Sequence, residues 1–138
     1  TEIDLDTSNP IISLLDEQRA VTNLGGTMRL GAYPCKLHDA SLAYQAYGNE
    51  QVSERHRHRY EFNRSYLPAF EEKGAKMTGS SPDGTLCEVM EVVNHPWMVG
   101  VQFHPEFKSK PTDPHPLFVA FVKAALEHSI AKLGSVNG

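Results

Sequence analysis

Val99-Gly100-Val101-Gln102-Phe103-His104-Pro105-Glu106 is the stretch whose reading decides the fold. Two valines and a phenylalanine with a single glutamine read as a strand buried on both faces. Pro105 has no backbone N–H to give a ladder, so the strand stops there. His104 and Glu106 therefore stand where a sheet strand reaches the surface, a common position for catalytic groups in α/β proteins. Imidazole takes and returns a proton near neutral pH, and a carboxylate on its other nitrogen fixes the tautomer. The competing reading is a hydrogen-bonded structural histidine at a strand end. A metal site would need at least one further ligand at suitable spacing, and none stands nearby.

Outward from that stretch, the chain divides into short elements. Trp97–Phe103 pairs antiparallel with a strand over Leu86–Val93 across the Asn94-His95-Pro96 turn. Ser80-Ser81-Pro82-Asp83-Gly84 is turn chemistry, and Ala75–Gly79 a further strand. Asn63 or Ser65 caps a helix to Lys73 with Gly74 behind it, and Ser41–Tyr47 is a short helix closed by Gly48. Met28–Leu37 is a strand, and Pro34 argues against a central place for its C-terminal half. Before it lie loops, with a short strand or turn around Pro10–Leu15. After Glu106 a loop leads to a cap at Thr112 or Asp113, with Pro114 at the first position of the last helix. Leu117, Phe118, Phe121, Val122, Ala125, Leu126, Ile130 and Leu133 follow at helical spacing, an apolar face expected to pack on the sheet, and Gly134 ends the helix.

Length, charge and cysteines bound the rest. One domain fits in 138 residues, and a net charge of −4 gives no global attraction for polyanions. Cys35 and Cys87 form no C-x-x-C pair, which suits a reducing, cytoplasmic setting. No run is long enough to span a membrane, and no basic-then-apolar leader opens the chain. Thr1 stands where a start methionine would, so the chain is expected to be part of a longer protein.

Two further motifs stand out. Gly25-Gly26-Thr27-Met28-Arg29-Leu30-Gly31 is either a turn into a strand or a close approach to a ligand, and it lacks phosphate-loop spacing. Glu54-Arg55-His56-Arg57-His58-Arg59-Tyr60-Glu61 places three arginines on one face of an extended segment. Three readings compete: a basic strip for nucleic acid, an edge strand guarded by charge, and a guanidinium clamp for a carboxylate. The missing second basic tract argues against the first. A His/Glu pair also needs a nucleophile on a tight elbow. Cys35 follows a proline with no helix behind it, Cys87 lies inside a strand, and no helix follows Ser80-Ser81. The nucleophile is expected on polypeptide absent from this chain.

These motifs, together with Gln102-Phe103-His104-Pro105-Glu106-Phe107 and Pro114-His115-Pro116-Leu117-Phe118, resemble the C-terminal part of the class I (triad) glutamine amidotransferase domain of the CTP synthase family. The resemblance runs from Thr1 to about His128. It implies an α/β fold, a partial flavodoxin-like amidotransferase domain with a mixed sheet and flanking helices. Residues 1–138 would form its C-terminal portion, with the nucleophile elbow and the synthase domain absent. His104 would be the general base for the missing cysteine and Glu106 its orienter. Arg59 and Glu2 would bind L-glutamine, with no metal in this part. The intact enzyme would hydrolyse glutamine and pass ammonia to UTP, using ATP and Mg in the synthase domain. GTP would activate it near Arg29, and it would be a homotetramer without nucleic acid or membrane partners. The chain alone would be inactive, with an exposed sheet edge open to pairing. Other triad amidotransferases, peptidase relatives and a non-catalytic binding or regulatory module are the alternatives.

Overall fold

The computed structural model describes residues 3, 4, 6–14 and 28–136. Their strands are β1 (Ile12–Ser13), β2 (Arg29–Leu37), β3 (Gln51–His58), β4 (Glu61–Phe62), β5 (Ala75–Ser80), β6 (Cys87–Val92) and β7 (Val99–Val101). The α-helices are α1 (Leu42–Tyr47), α2 (Leu67–Glu72) and α3 (Pro116–Val136). Single 3-10 turns stand at Arg64–Tyr66 and Pro105–Phe107.

A five-stranded sheet runs in the order β3-β2-β5-β6-β7, and β1 pairs β4 beside it. The α/β class with flanking helices holds. Every ladder among the described residues is antiparallel, so any parallel strands of a mixed sheet lie outside them. Local chemistry sets the boundaries. The Ser41 side chain accepts from the Tyr44 N–H at the start of α1, and Gly48 closes it at φ 68° with its N–H on the Tyr44 carbonyl. The buried Glu91 carboxylate of β6 takes the Leu42 and Ala43 N–H groups, both at 2.9 Å, and so pins α1 to the sheet. Gly79 is required by packing, because a Cβ there would lie 2.7 Å from Val89 Cγ2.

Several expectations change. The Val99–Phe103 strand is not buried on both faces: β7 spans Val99–Val101, pairs only with β6 among the described residues, and exposes Gly100. Pro34 does not keep β2 at an edge. It pairs with Ser53 on the β3 side, and β5 joins only beyond it, at Lys36 and Leu37. Helix α3 begins at Pro116, not Pro114, because His115 acts before it: its Nδ1 accepts from the Leu117 N–H at 3.3 Å. Gly134 lies inside α3.

The core comprises Cys35, Leu37, Ala43, Val89, Phe103 and Leu117, bordered by Tyr44, Tyr47, Val52, Trp97, Val99 and Val101. Leu117 is the only residue of the α3 apolar face in it. Phe118, Phe121, Val122, Leu126, Ile130 and Leu133 are between 41% and 64% exposed, so the face expected to pack on the sheet is uncovered. None of the described helices is long and apolar enough to cross a membrane.

Candidate active site

The end of β7 is fixed residue by residue. The Gln102 N–H reaches the Glu88 carbonyl at 3.0 Å, Phe103 enters the core, and the His104 N–H reaches the Arg55 carbonyl of β3 at 2.8 Å. Pro105 then opens a 3-10 turn that the Phe107 and Lys108 N–H groups close on the His104 and Pro105 carbonyls. This turn folds Glu106 back onto His104, with Nδ1 to Oε1 at 2.7 Å. The Phe107 ring stacks on the imidazole at 4.8 Å and 18°.

The two side chains are 35% and 55% exposed, so the pair is open to solvent. With its Nδ1–H donated to the carboxylate, neutral His104 presents Nε2 as a bare acceptor, and among the described residues Nε2 has no partner. The hydrogen bond from His104, with a smaller contribution from the backbone N–H of Glu106 itself, holds the Glu106 carboxyl below the usual carboxylate range. The arrangement is that of a base and its orienter.

The alternating run resolves into two faces. Glu54 and His56 turn inward and are buried, whereas Arg55 and Arg57 are exposed on the outer strand of the described sheet. The guarded-edge reading fits those two arginines. Arg59 differs. It lies just past β3, half-buried, and its Nε is buried with no hydrogen-bond partner. It stands four positions beyond Arg55, whose carbonyl anchors His104, so an extended chain puts the two backbones about 13 Å apart. An unmet guanidinium donor is what a carboxylate clamp needs before its ligand arrives.

Glu2 and Gly25-Gly26-Thr27 lie outside the described residues. Arg29 turns inward: Nη1 meets Glu61 Oε1 at 3.1 Å, Nη2 meets Glu88 Oε1 at 2.7 Å, and its guanidinium carbon lies 4.7 Å from the Tyr33 ring centre. Glu88 also takes His56 Nε2 at 2.8 Å. Burial opposes its ionisation, yet the hydrogen bonds from His56 and Arg29 win and hold its carboxyl below the ordinary value. His56 Nδ1 also faces the Glu54 carbonyl at 3.0 Å, so both ring nitrogens stand at hydrogen-bond distance from an oxygen.

Sequence reasoning missed this buried network. Its one local signal was the period-two placement of His56 and His58 between the arginines. A second cluster holds the loop behind the pair, with Lys108 Nζ on the Ser53 carbonyl and on Glu54, and His115 Nε2 on Glu54 at 3.2 Å.

Neither cysteine is exposed as a nucleophile. Burial pushes the Cys35 thiol up to about 12 and the Cys87 thiol up to about 11, so both remain protonated at neutral pH.

Comparison with known proteins places the chain in a family. Residues 8–124 match the family model described as "Glutamine amidotransferase class-I". The CTP synthase of Syntrophus aciditrophicus is 58% identical over 128 residues, 93% of this chain and 24% of that protein. The CTP synthase of Protochlamydia amoebophila is 60% identical over 126 residues, 91% of this chain and 23% of that protein. The chain thus spans about a quarter of the length of these relatives. Among solved structures, the Trypanosoma brucei CTPS glutaminase domain with bound acivicin superposes with a TM-score of 0.82. It is 30% identical, and the match covers 91% of this chain and 49% of that one. The strand-end histidine with its carboxylate and the matched span lead to one conclusion: this chain belongs to the class I glutamine amidotransferase family.

Proposed function

We propose that this chain is the C-terminal portion of the glutaminase domain of a CTP synthase and supplies that domain's base, its orienter and its substrate clamp. The observation that carries the reading is the 2.7 Å bond from His104 Nδ1 to Glu106 Oε1, with Nε2 left open at the surface. Similarity to proteins named CTP synthase, at 58% identity over most of this chain, supports the choice within the family. In the reaction so assigned, His104 Nε2 takes the proton of a cysteine thiol from polypeptide outside this chain, and the thiolate attacks the glutamine amide carbon. Ammonia leaves with a proton from His104, and a thioester remains. Water then attacks the thioester while His104 Nε2 takes its proton, which releases glutamate and regenerates the thiolate. Arg59 holds the α-carboxylate of glutamine, and Glu2 its amino group. The released ammonia aminates UTP in a separate ATP-dependent synthase domain.

Two features support a site completed from elsewhere. Both cysteines present are buried and protonated, and the match covers 49% of the trypanosomal glutaminase chain. The uncovered apolar face of α3 and the edge of β7, unpaired among the described residues, fit a chain that packs against the remainder of such a domain. The test is glutamate release from glutamine, followed for the 138-residue chain and for a polypeptide extended upstream to include a Gly-x-Cys-x-Gly elbow. The extended protein should turn over and lose at least about a thousandfold in kcat on His104→Ala. The chain alone should release no glutamate. Turnover by the chain alone that His104→Ala abolishes would contradict the proposal.

A further inference from the structure

The sequence motifs around Arg29, around His58 and around His104 are distant in the chain, yet side chains from all three converge on one buried carboxylate. Glu61, 1% exposed in β4, accepts Arg29 Nη1 at 3.1 Å and His58 Nε2 at 2.9 Å on Oε1. Its Oε2 accepts the Gln102 side-chain amide, which also donates to the Cys87 carbonyl at 3.0 Å. His58 immediately precedes Arg59, and Gln102 stands two residues before His104. His58 uses Nε2 for the hydrogen bond to Glu61 and leaves Nδ1 buried and unpartnered, next along the chain to the equally unpartnered Arg59 Nε.

We infer that Glu61 is a positioning residue that sets the substrate clamp at Arg59 against the base at His104. This rests on the functional reading above. A carboxylate gripping both strand ends transmits orientation because each link is a short, charge-assisted or amide hydrogen bond in a buried setting. Supporting partners of this kind affect activity about 10- to 100-fold where they have been measured around metal ligands. Hydrophobic packing alone would not make the two sides respond separately. His58 lies on the clamp side, Gln102 on the base side, and Glu61 on both.

The test has two readouts. In the full chain, nitrogen-edited spectra follow the imidazole resonances of His58 and His104 and the Arg59 Nε–H. Glu61→Gln turns the Oε2 acceptor into an amide donor facing the Gln102 amide, and it should shift all three signals. A shift confined to His58 overturns the inference, whether or not the chain takes part in glutamine hydrolysis. In the enzyme extended to include its nucleophile, His58→Phe should raise KM for glutamine about 10-fold with little change in kcat. Gln102→Met should lower kcat about 10-fold with little change in KM, and Glu61→Gln should do both. Equal loss in kcat and KM from all three would mean a general packing role and would also overturn it. An extended enzyme without glutaminase activity would fail the functional reading, while the spectra would still decide the role of Glu61.

Discussion

The space between β2, β3 and β6 and the outer face of α3 invert the usual distribution of residues. The first buries Glu54, His56, Glu61 and Glu88, and the second exposes Phe121, Val122, Leu126, Ile130 and Leu133. Both depart from what residue type dictates, for different reasons. Each buried carboxylate meets cations, amides or hydroxyls at hydrogen-bond distance, so its desolvation is offset inside the chain. Nothing among the described residues offsets the exposure of α3. The buried carboxylates find their partners inside the chain, with Glu54 Oε2 left unpartnered among the described residues, while the helix face finds none.

The largest expected effect follows from those internal pairings. Arg29 is the fixed cation between Glu61 and Glu88, and its side chain is 11% exposed against 2% and 0% for theirs. Arg29→Ala leaves two buried carboxylates without their shared guanidinium, and removing one partner of a buried pair costs about 3–5 kcal/mol. Urea unfolding followed by the single tryptophan should show a lower midpoint, the shift multiplied by the m-value giving a loss of that size. A loss under about 1 kcal/mol would mean that water compensates these charges and the contrast fails.

A smaller effect concerns pH. The folded-state value of Glu88 lies below its ordinary one, so the unfolded chain takes up the proton more readily. Its contribution to stability is therefore full above the unfolded value and is lost as the pH falls through the depressed folded one. As the pH falls below the ordinary carboxylate value, the wild-type chain should lose stability more steeply than Glu88→Gln in urea unfolding. Parallel curves would show that another carboxylate governs the acid limb.

How much of this was legible in the sequence depends on the range of the interactions. Helix α1 was, because Ser41 and Gly48 act on neighbours three or four residues away. So were the His104–Glu106 pair, two residues apart, and the antiparallel β6–β7 hairpin. The interior was not: Arg29 meets Glu61 and Glu88 across 32 and 59 residues, and charge alone does not say which partner waits that far along the chain. The guanidinium clamp was legible only as one of three readings, since the alternation that exposes Arg55 and Arg57 says nothing of Arg59 beyond the strand end. The start of α3 was misplaced because Pro114 offered a plausible first position, while His115 supplied the acceptor that moved it on.

The α3 periodicity was read correctly as a face but wrongly as a covered one, and that difference yields the smallest expected effect. Apolar spacing says which side of a helix is apolar and is silent on whether anything lies against it. Phe121 and Leu126 are 55% and 59% exposed, so replacing them removes little contact within this chain. Phe121→Ser with Leu126→Ser should change the unfolding free energy by less than about 1 kcal/mol, mostly through the weaker helix propensity of serine. The same pair should reduce self-association in sedimentation velocity, because a large exposed apolar patch drives copies together. A loss of several kcal/mol would put these residues inside a packed interface of the chain itself, and the helix would then belong with the interior as a finished surface. A small loss with unchanged association would show that the face is tolerated by water as it stands. Only a small loss together with weaker association identifies an apolar surface that the rest of this chain leaves uncovered.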